Sequence, residues 1–146
     1  MRHKVYGKHL GRDTNQRTAL FRGLVRALFL HDSITTTEAK AKAIKGLVDR
    51  LITKGQQNSN ASRNVIFSAL PQKEISKKLL DDISPRYTLR KSGFTEIIKL
   101  GTRAGDGAMM VKMSLMPADQ KISEPRPKDG QPLADKKQQR PKKGKK

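Results

Sequence analysis

The residue types of this sequence best suited to binding a ligand are its lysines and arginines. Residues 1–12 contain several of them and no acidic residue. Histidines, glycines and one tyrosine separate these cations, so the segment has no core of its own. Arginine and lysine suit phosphates, and an aromatic or imidazole ring can stack on a base. We interpret residues 1–12 as an arm that enters a groove of folded RNA; the alternative is a floppy, soluble terminus. Its basic residues are Arg2, Lys4, Lys8 and Arg12, and its candidate stacking rings are Tyr6 and His9.

Three arginines extend this positive charge along the first predicted helix. They are Arg17, Arg22 and Arg26. A guanidinium group can bind a phosphate through two parallel hydrogen bonds, which makes each of them a candidate RNA contact. Each could equally be a surface residue without a partner.

A second group of candidate RNA-binding residues lies in the loop after the fourth predicted helix. Arg86 and Arg90 flank Tyr87, an arrangement that suits phosphates beside a stacking ring. Tyr87 could instead be a core residue with its hydroxyl at the edge. Both alternatives remain open at the level of sequence.

The glycine-rich segment 101–107 is the third candidate. It lacks the Gly-Lys-Ser/Thr ending of a P-loop and does not precede a helix, so it is a weak nucleotide-binding motif. We interpret it as a hairpin loop that presents Arg103 to an RNA phosphate, although turn geometry alone explains its glycines.

Catalytic and metal-binding constellations are not evident in the sequence. The three histidines, His3, His9 and His31, have no second ligand at helical spacing, and there is no cysteine. Asp81 and Asp82 are adjacent on a predicted helix and therefore point about 100° apart, which prevents them from easily sharing a proton. We predict no enzyme activity, no metal site, no cofactor and no small-molecule substrate.

Composition points to nucleic acid as the partner. The 146 residues carry a formal net charge of +19, with a pI near 10.6 and only 34% hydrophobic residues. Such a chain repels itself unless an anion lies beside it, and a phosphate backbone supplies anions at high density. The apolar cluster near residues 24–30 is too short to cross a bilayer, and the N-terminus lacks the apolar region of a secretory signal. We expect no membrane association and a cytoplasmic location.

Three zones differ in composition. Residues 1–12 form the predicted basic arm, and residues 13–116 hold nearly all the large apolar side chains. Residues 117–146 contain five of the seven prolines and end in a run of basic residues, so we predict a disordered basic tail. The middle zone is the predicted globular domain.

Four helices are predicted in this domain. The first is capped at Asp13 or Thr14 and runs to about Leu30; the second opens at a capping box of Thr35 and Glu38 and ends at Lys54-Gly55. The others span residues 61–70 and 73–83. The predicted apolar face of the first helix consists of Leu20, Leu24, Ala27 and Leu28. The predicted faces of the second and fourth helices consist of Ile44, Leu47, Val48 and Leu51, and of Ile75, Leu79 and Ile83.

Three strands complete the predicted domain. Residues 33–37 are β-branched and suit an edge strand, and residues 94–100 and 108–116 flank the loop 101–107 as a hairpin. One predicted face carries Phe94, Ile98 and Leu100, and the next strand presents Met109, Val111, Met113 and Leu115 opposite Lys112 and Ser114. The predicted class is α+β, with helices packed on one face of a small, mainly antiparallel sheet.

Three collinear blocks resemble one protein family. They read MRHKVYGKHLGR, NQRTALFRGLVRALFLHDSITTTEAKAKAIKGLVDRLIT and SPRYTLRKSGFTEIIKLGTRAGDGAMMVKMSLM, and they span about residues 1–116. They are similar to bacterial-type ribosomal protein seventeen of the large subunit. The tail 117–146 lies outside the resemblance.

The resemblance implies a structural constituent of the large ribosomal subunit that binds and stabilises folded 23S ribosomal RNA. It also implies a place near the exit of the polypeptide tunnel, beside neighbouring large-subunit ribosomal proteins. In the family the arm is buried in RNA, which makes the first RNA contacts Arg2, His3, Lys4, Lys8, His9 and Arg12. The other predicted contacts are Arg17, Arg22, Arg26, Arg86, Tyr87, Arg90 and Arg103.

Two other functions stay open at this level. A DNA-binding nucleoid protein would retard duplex DNA as well as structured ribosomal RNA and would form a stable dimer. An RNA-modifying or RNA-cleaving enzyme would lose turnover when one acid or histidine is changed. The resemblance does not distinguish a bacterial from an organelle ribosome.

Overall fold

The computed structural model describes residues 8–118. The predictions for Arg2, His3, Lys4 and Tyr6, and for the tail beyond residue 118, lie outside the described residues. The described helices are α1 (Thr14–His31), α2 (Glu38–Gln57), α3 (Asn60–Ala69) and α4 (Lys73–Lys78). The strands are β1 (Ser33–Thr37), β2 (Thr95–Thr102) and β3 (Met109–Leu115).

Helix α1 begins after Asp13, as predicted, and ends where Asp32 takes a left-handed backbone conformation with φ of 57°. Its buried face matches the predicted one only in part, at Leu28. Val25, Leu28 and Phe29 are fully buried, whereas Leu20, Leu24 and Ala27 are only partly buried. The true face lies one residue later along the helix. Two sets of apolar residues share the same i, i+4, i+7, i+8 spacing, so periodicity alone could not choose between them.

Both predicted ends of α2 were wrong. Thr35 lies within β1, and the residue that precedes the helix is Thr37, whose side chain makes no capping hydrogen bond. The helix passes through Lys54 and Gly55 and ends at Gln57, where Asn58 takes a left-handed conformation. Gly55 is buried inside the helix because a neighbouring segment approaches it closely: a Cβ there would lie 1.9 Å from Ser84 Oγ. Its role is therefore close packing and not helix termination.

The buried face of α2 follows the prediction. Ile44, Val48 and Leu51 are buried, and Leu47 is partly buried against the same core. Helix α3 also lies within one residue of its predicted bounds, and the Ser59 hydroxyl caps it by accepting a hydrogen bond from the Ser62 amide at 3.2 Å.

The fourth predicted helix changes its winding partway along. Helix α4 continues as a π-helical segment (Leu79–Ile83) and then a 3-10 turn (Ser84–Arg86) that contains Pro85. Ile75, Leu79 and Ile83 are buried, as predicted. The change of winding had not been predicted, and it carries the chain to Ser84, which packs against Gly55.

The sheet is antiparallel throughout, with strand order β1-β3-β2. Ile34 and Ile97 both lie opposite Met113 in the central strand, and these side chains face the helices. The predicted alternation of β3 is confirmed, since Val111 and Met113 are fully buried while Lys112 is exposed. The predicted α+β class, with helices on one face of an antiparallel sheet, is therefore confirmed.

The predicted face of β2 was wrong. Phe94 precedes the strand and is buried against Tyr87, with ring centroids 5.2 Å apart. Ile98 and Leu100 are instead 46% and 56% exposed. Because Phe94 lies outside the strand, it does not share the alternation of β2. Thr95 and Ile97 face the helices, Ile98 therefore faces away from them, and Leu100 lies in a bulge between Lys99 and Gly101.

Polar contacts hold the segment after the 3-10 turn against α2 and β3. The Gln56 side-chain amide donates to the backbone carbonyls of Tyr87 and Arg90, and the Asp49 carboxylate accepts from the Phe94 amide at 3.2 Å. The Tyr87 hydroxyl donates to the Met116 carbonyl at 2.5 Å. Helix α2 therefore supports the sheet, the turn and the loop together.

The close approach at Gly55 gives a testable prediction. We expect Gly55→Ala to destabilise the fold by about 1–3 kcal/mol, because the added methyl group overpacks the contact with Ser84. Gly46→Ala is the matched control on the same helix: no atom lies within 4 Å of its Cβ position, and we expect a gain of roughly 0.5–1 kcal/mol from helix propensity. Urea unfolding measures both. Equal effects of the two changes would contradict the packing role of Gly55.

Candidate nucleic-acid interface

A cationic groove lies between α1, α2 and the segment that precedes α1. Its volume is about 490 Å³. We call it the α1–α2 groove, and its lining residues are Lys8, His9, Arg17, Phe21, Lys42, Ala43, Gly46 and Leu47. Four of these side chains carry basic groups, three provide apolar surface, and none is acidic. An acid-free concavity of this kind suits a ligand that combines negative charge with a flat apolar part.

Helical spacing explains how the walls form. Arg17 and Phe21 are four residues apart on α1, so they share one face of that helix. Lys42 and Gly46 have the same spacing on α2. Ala43 and Gly46 are small, and the space that larger side chains would fill is left open between the helices.

A tight turn brings the third wall into place. Leu10 and Gly11 both take left-handed backbone conformations, with φ of 55° and 61°, and the Arg12 amide donates to the His9 carbonyl at 3.2 Å. This turn places Lys8 and His9 beside the first turns of α1. The left-handed conformation at position 11 favours glycine, because glycine has no Cβ.

Hydrogen bonds orient two of the basic side chains. Arg17 Nη1 lies 3.2 Å from His9 Nδ1. A guanidinium can only donate, so in this arrangement His9 Nδ1 accepts and the ring proton lies on Nε2. His9 therefore offers a donor to a ligand, and Arg17 is held near the apolar part of the groove.

Lys42 has one acidic partner outside the groove lining. Its Nζ lies 2.7 Å from Glu38 Oε1, one helical turn earlier. This hydrogen bond and the charge of Lys42 hold the pKa of Glu38 below its ordinary value. The pair is exposed to solvent and therefore weak, so a phosphate can compete with Glu38 for the ammonium group.

The predicted RNA-binding residues do not all meet in one place. Lys8, His9 and Arg17 line the groove, and Arg12 lies in the adjoining turn with Nη1 donating to the Leu10 carbonyl at 3.1 Å. Arg22 and Arg26 line a separate, smaller recess of about 150 Å³ beside Leu70 and Pro71. Arg22 also donates to the Ser68 carbonyl at 3.0 Å.

The loop candidates are held by contacts within the protein. Arg86 pairs with Asp82 at 2.5 Å and with Asp32 at 3.3 Å, and the hydrogen bond to Asp82 raises the pKa of the guanidinium. Arg90 Nη1 donates to the Gly93 carbonyl at 3.4 Å. Tyr87 is fully buried with its hydroxyl bonded to the backbone, which is the core arrangement that the sequence left open; its ring has no face exposed for stacking.

Arg103 lies in the predicted hairpin loop, where it pairs with an acid of the same loop. Its Nε and Nη2 donate to the two carboxylate oxygens of Asp106 at 3.0 and 2.6 Å. The hydrogen bond from Arg103 lowers the pKa of Asp106 to about 2. The guanidinium stays exposed, and its contact with an RNA phosphate stays a prediction.

Sequence reasoning missed Lys42, Phe21 and Leu47 as parts of the site. Lys42 lies outside the predicted apolar face of α2, and the sequence does not show which residues of α1 lie beside it. Phe21 carried a usable signal, because it lies four residues after Arg17 on the same helical face. The pairing of the two helices across the groove is a tertiary feature that periodicity does not encode.

Two features are absent from residues 8–118. No group of three or more metal-ligating side chains is present in this part of the chain. In the same range, no helix is long and apolar enough to cross a membrane.

Comparison with known proteins gives one consistent family. The model of the family described as ribosomal protein L17 matches residues 20–116. A relative from Thermodesulfovibrio yellowstonii, named large ribosomal subunit protein bL17, is 48% identical over 108 residues, covering 74% of this chain and 81% of the relative. Relatives with the same name from Pelobacter propionicus and Dehalococcoides mccartyi are 42% and 41% identical over 80% of this chain, covering 91% and 99% of their own lengths.

The matched region contains α1 from Leu20 onward, the remaining helices and the whole sheet. A family match over more than half of the chain, together with relatives that align over most of both sequences, establishes the relationship. The chain belongs to the ribosomal protein L17 family, whose members are structural proteins of the ribosome and not enzymes.

Proposed function

We propose that this chain is a structural constituent of the large ribosomal subunit, in which it binds and stabilises folded 23S ribosomal RNA. The relatives carry the name of a large-subunit protein, and bacterial ribosomes work in the cytoplasm. The observation that supports RNA binding most directly is the α1–α2 groove, which gathers four basic groups around apolar surface without an acid in its lining.

Counterion release supplies the driving force. Each lysine or arginine that meets a phosphate frees condensed cations from the RNA, and the gain is largest at low salt. Lys8, Arg17 and Lys42 can neutralise phosphates that approach from the open side of the groove. Neutralised phosphates allow RNA segments to pack closer together than their charges otherwise permit.

The apolar part of the groove adds a second contact. Phe21 and Leu47 are partly buried and lie beside the basic groups, so they offer a surface for a base or a sugar. Single-stranded loops and bulges of folded RNA expose such bases, whereas paired stems do not. We therefore propose that the groove receives an unpaired nucleotide, with its base against Phe21 and its phosphate beside Arg17.

The finer parts of the proposal rest on two kinds of evidence. The family resemblance supports a position near the polypeptide tunnel exit and an RNA-buried arm over residues 1–12. Composition supports a domain over residues 13–116 with a basic tail after it. Arg22, Arg26, Arg86, Arg90 and Arg103 belong to the proposal as further phosphate contacts outside the groove.

Neutralising two groove cations tests the electrostatic part. We expect Arg17→Gln with Lys42→Gln to weaken binding to 23S RNA and to reduce the slope of log affinity against log salt by roughly 1 for each phosphate that the variant no longer neutralises. The matched control is Lys73→Gln with Lys77→Gln, which removes the same charge from α4, away from the groove. Filter binding over a salt series measures both. Identical slopes for the two double variants would contradict the groove as a phosphate site.

Replacing the aromatic ring tests the stacking part separately. We expect Phe21→Leu to lower RNA affinity by roughly 1 kcal/mol, about fivefold, because leucine fills space without a ring face. The salt slope should not change, since no charge is removed. Phe67→Leu on α3 is the control, because Phe67 is 43% exposed and lies outside the groove. Wild-type affinity in the Phe21 variant would exclude a stacked base.

A further inference from the structure

We propose that RNA binding in the α1–α2 groove takes up a proton at His9, so that the groove binds RNA more tightly as the pH falls. This inference rests on the proposed function, since it concerns the regulation of the same groove. It assigns a protonation state to a residue that the sequence predicts only as an RNA contact. Two features of the groove carry it: the contact between His9 and Arg17, and the basic groups that surround this contact.

The contact with Arg17 forms only while His9 Nδ1 has no proton. Arg17 Nη1 lies 3.2 Å from Nδ1, and a guanidinium can only donate. A protonated imidazole has a hydrogen on both ring nitrogens, so it offers Arg17 no acceptor. Protonation of His9 therefore breaks this hydrogen bond and turns the two side chains into a pair of like charges.

The groove provides no acid that could balance a charged His9 ring. The basic side chains around the ring are Lys8 and Arg12 from its own segment, Arg17 from α1 and Lys42 from α2. Asp13 precedes α1 outside the groove lining, and Glu38 pairs with the Lys42 ammonium group at 2.7 Å. The negative charge that a protonated His9 needs must therefore come from a ligand.

An RNA phosphate supplies that negative charge. Its oxygens accept hydrogen bonds, and those from a charged imidazole are shorter and stronger than those from a neutral one. A protonated His9 can donate from either nitrogen, whereas the ring that contacts Arg17 can donate only from Nε2. Once the ring no longer accepts from Arg17, that guanidinium can also turn its donors to the phosphate. The RNA-bound groove therefore favours the protonated ring, and the proton comes from solvent.

The direction of the pH dependence follows from this proton uptake. Imidazole is the side chain that ordinarily changes its charge between about pH 5 and 8, whereas lysine and arginine side chains ordinarily titrate well above this range. Binding that takes up a proton is strongest at low pH and weakens as the pH rises. The other cations of the groove strengthen RNA binding across this range without giving it a pH dependence.

Filter binding of the full chain to 23S RNA, at fixed salt over a pH series, tests the coupling. We expect the wild-type affinity to fall roughly three- to tenfold from about pH 6 to about pH 8, as suits one charge-assisted contact near solvent. His9→Asn removes the titrating ring but keeps a neutral acceptor, because the amide oxygen is as many bonds from Cα as Nδ1 is. We expect this variant to bind like the wild type near pH 8 and to lose the increase near pH 6.

His31→Asn is the matched control. His31 lies in the last turn of α1, outside the groove lining, so this variant should keep the wild-type pH dependence. The remaining histidine, His3, is common to all three chains and cannot cause a difference between them. Titration calorimetry in two buffers of different ionisation enthalpy counts the protons: the wild type should take up more than His9→Asn does. Circular dichroism at both pH values checks that each chain stays folded.

The outcomes separate this inference from the proposed function. Equal pH dependence and equal proton uptake in the wild type and in His9→Asn would overturn the coupling and leave the proposed function standing. This includes a variant that binds more weakly by the same factor at every pH, since that result would give His9 a role without proton uptake. A wild-type chain that does not bind 23S RNA at any pH would overturn the proposed function, and this inference with it.

Discussion

Electrostatic repulsion among its own cations is the constraint on which this protein depends. A net charge of +19 on 146 residues favours expansion of the chain unless anions reduce the repulsion. Acids of the protein do so locally: Asp82 and Asp32 hold Arg86, and Asp106 holds Arg103. The lining of the α1–α2 groove contains no such acid. Lys42 pairs with Glu38 outside the lining, whereas Lys8 and Arg17 have no ion pair with an acid in the described part of the chain, and theirs is the charge that an RNA phosphate can neutralise.

A small core must withstand this repulsion, and α2 is its centre. The face of α2 that buries Ile44, Val48 and Leu51 also carries Gly55, which accepts the close approach of Ser84. Its polar side chains Asp49 and Gln56 bond to the loop that leads into β2. Lys42 and Gly46 on the same helix line the groove. Any change that displaces α2 therefore alters the fold and the candidate RNA site together.

Much of this architecture could be predicted from local patterns, and the errors have identifiable physical causes. Alternation in β3 correctly placed Val111 and Met113 in the core, and helical spacing correctly placed the buried face of α2. The predicted face of α1 was displaced by one residue because two apolar sets share its period, and that of β2 was misplaced because Phe94 precedes the strand and does not share its alternation. The sequence predicted that α2 ends at Gly55, but Gly55 lies inside the helix, where Ser84 packs against it. Lys8 and Arg17 were proposed from their charge and His9 as a stacking ring, and the family resemblance also implied Lys8 and His9, whereas Lys42 required knowledge of how two helices pair. Family membership confirms the prediction that the chain is not an enzyme.

The central claim is that the excess positive charge of this fold is stabilised by ribosomal RNA. Sedimentation of a tagged full-length chain from cell extract through a density gradient, after a wash in moderate salt, tests it most directly. The account predicts that the tagged chain migrates with the large subunit and is released only as the salt concentration rises. A chain that sediments as free protein at low salt, or with membranes or the small subunit, would contradict it.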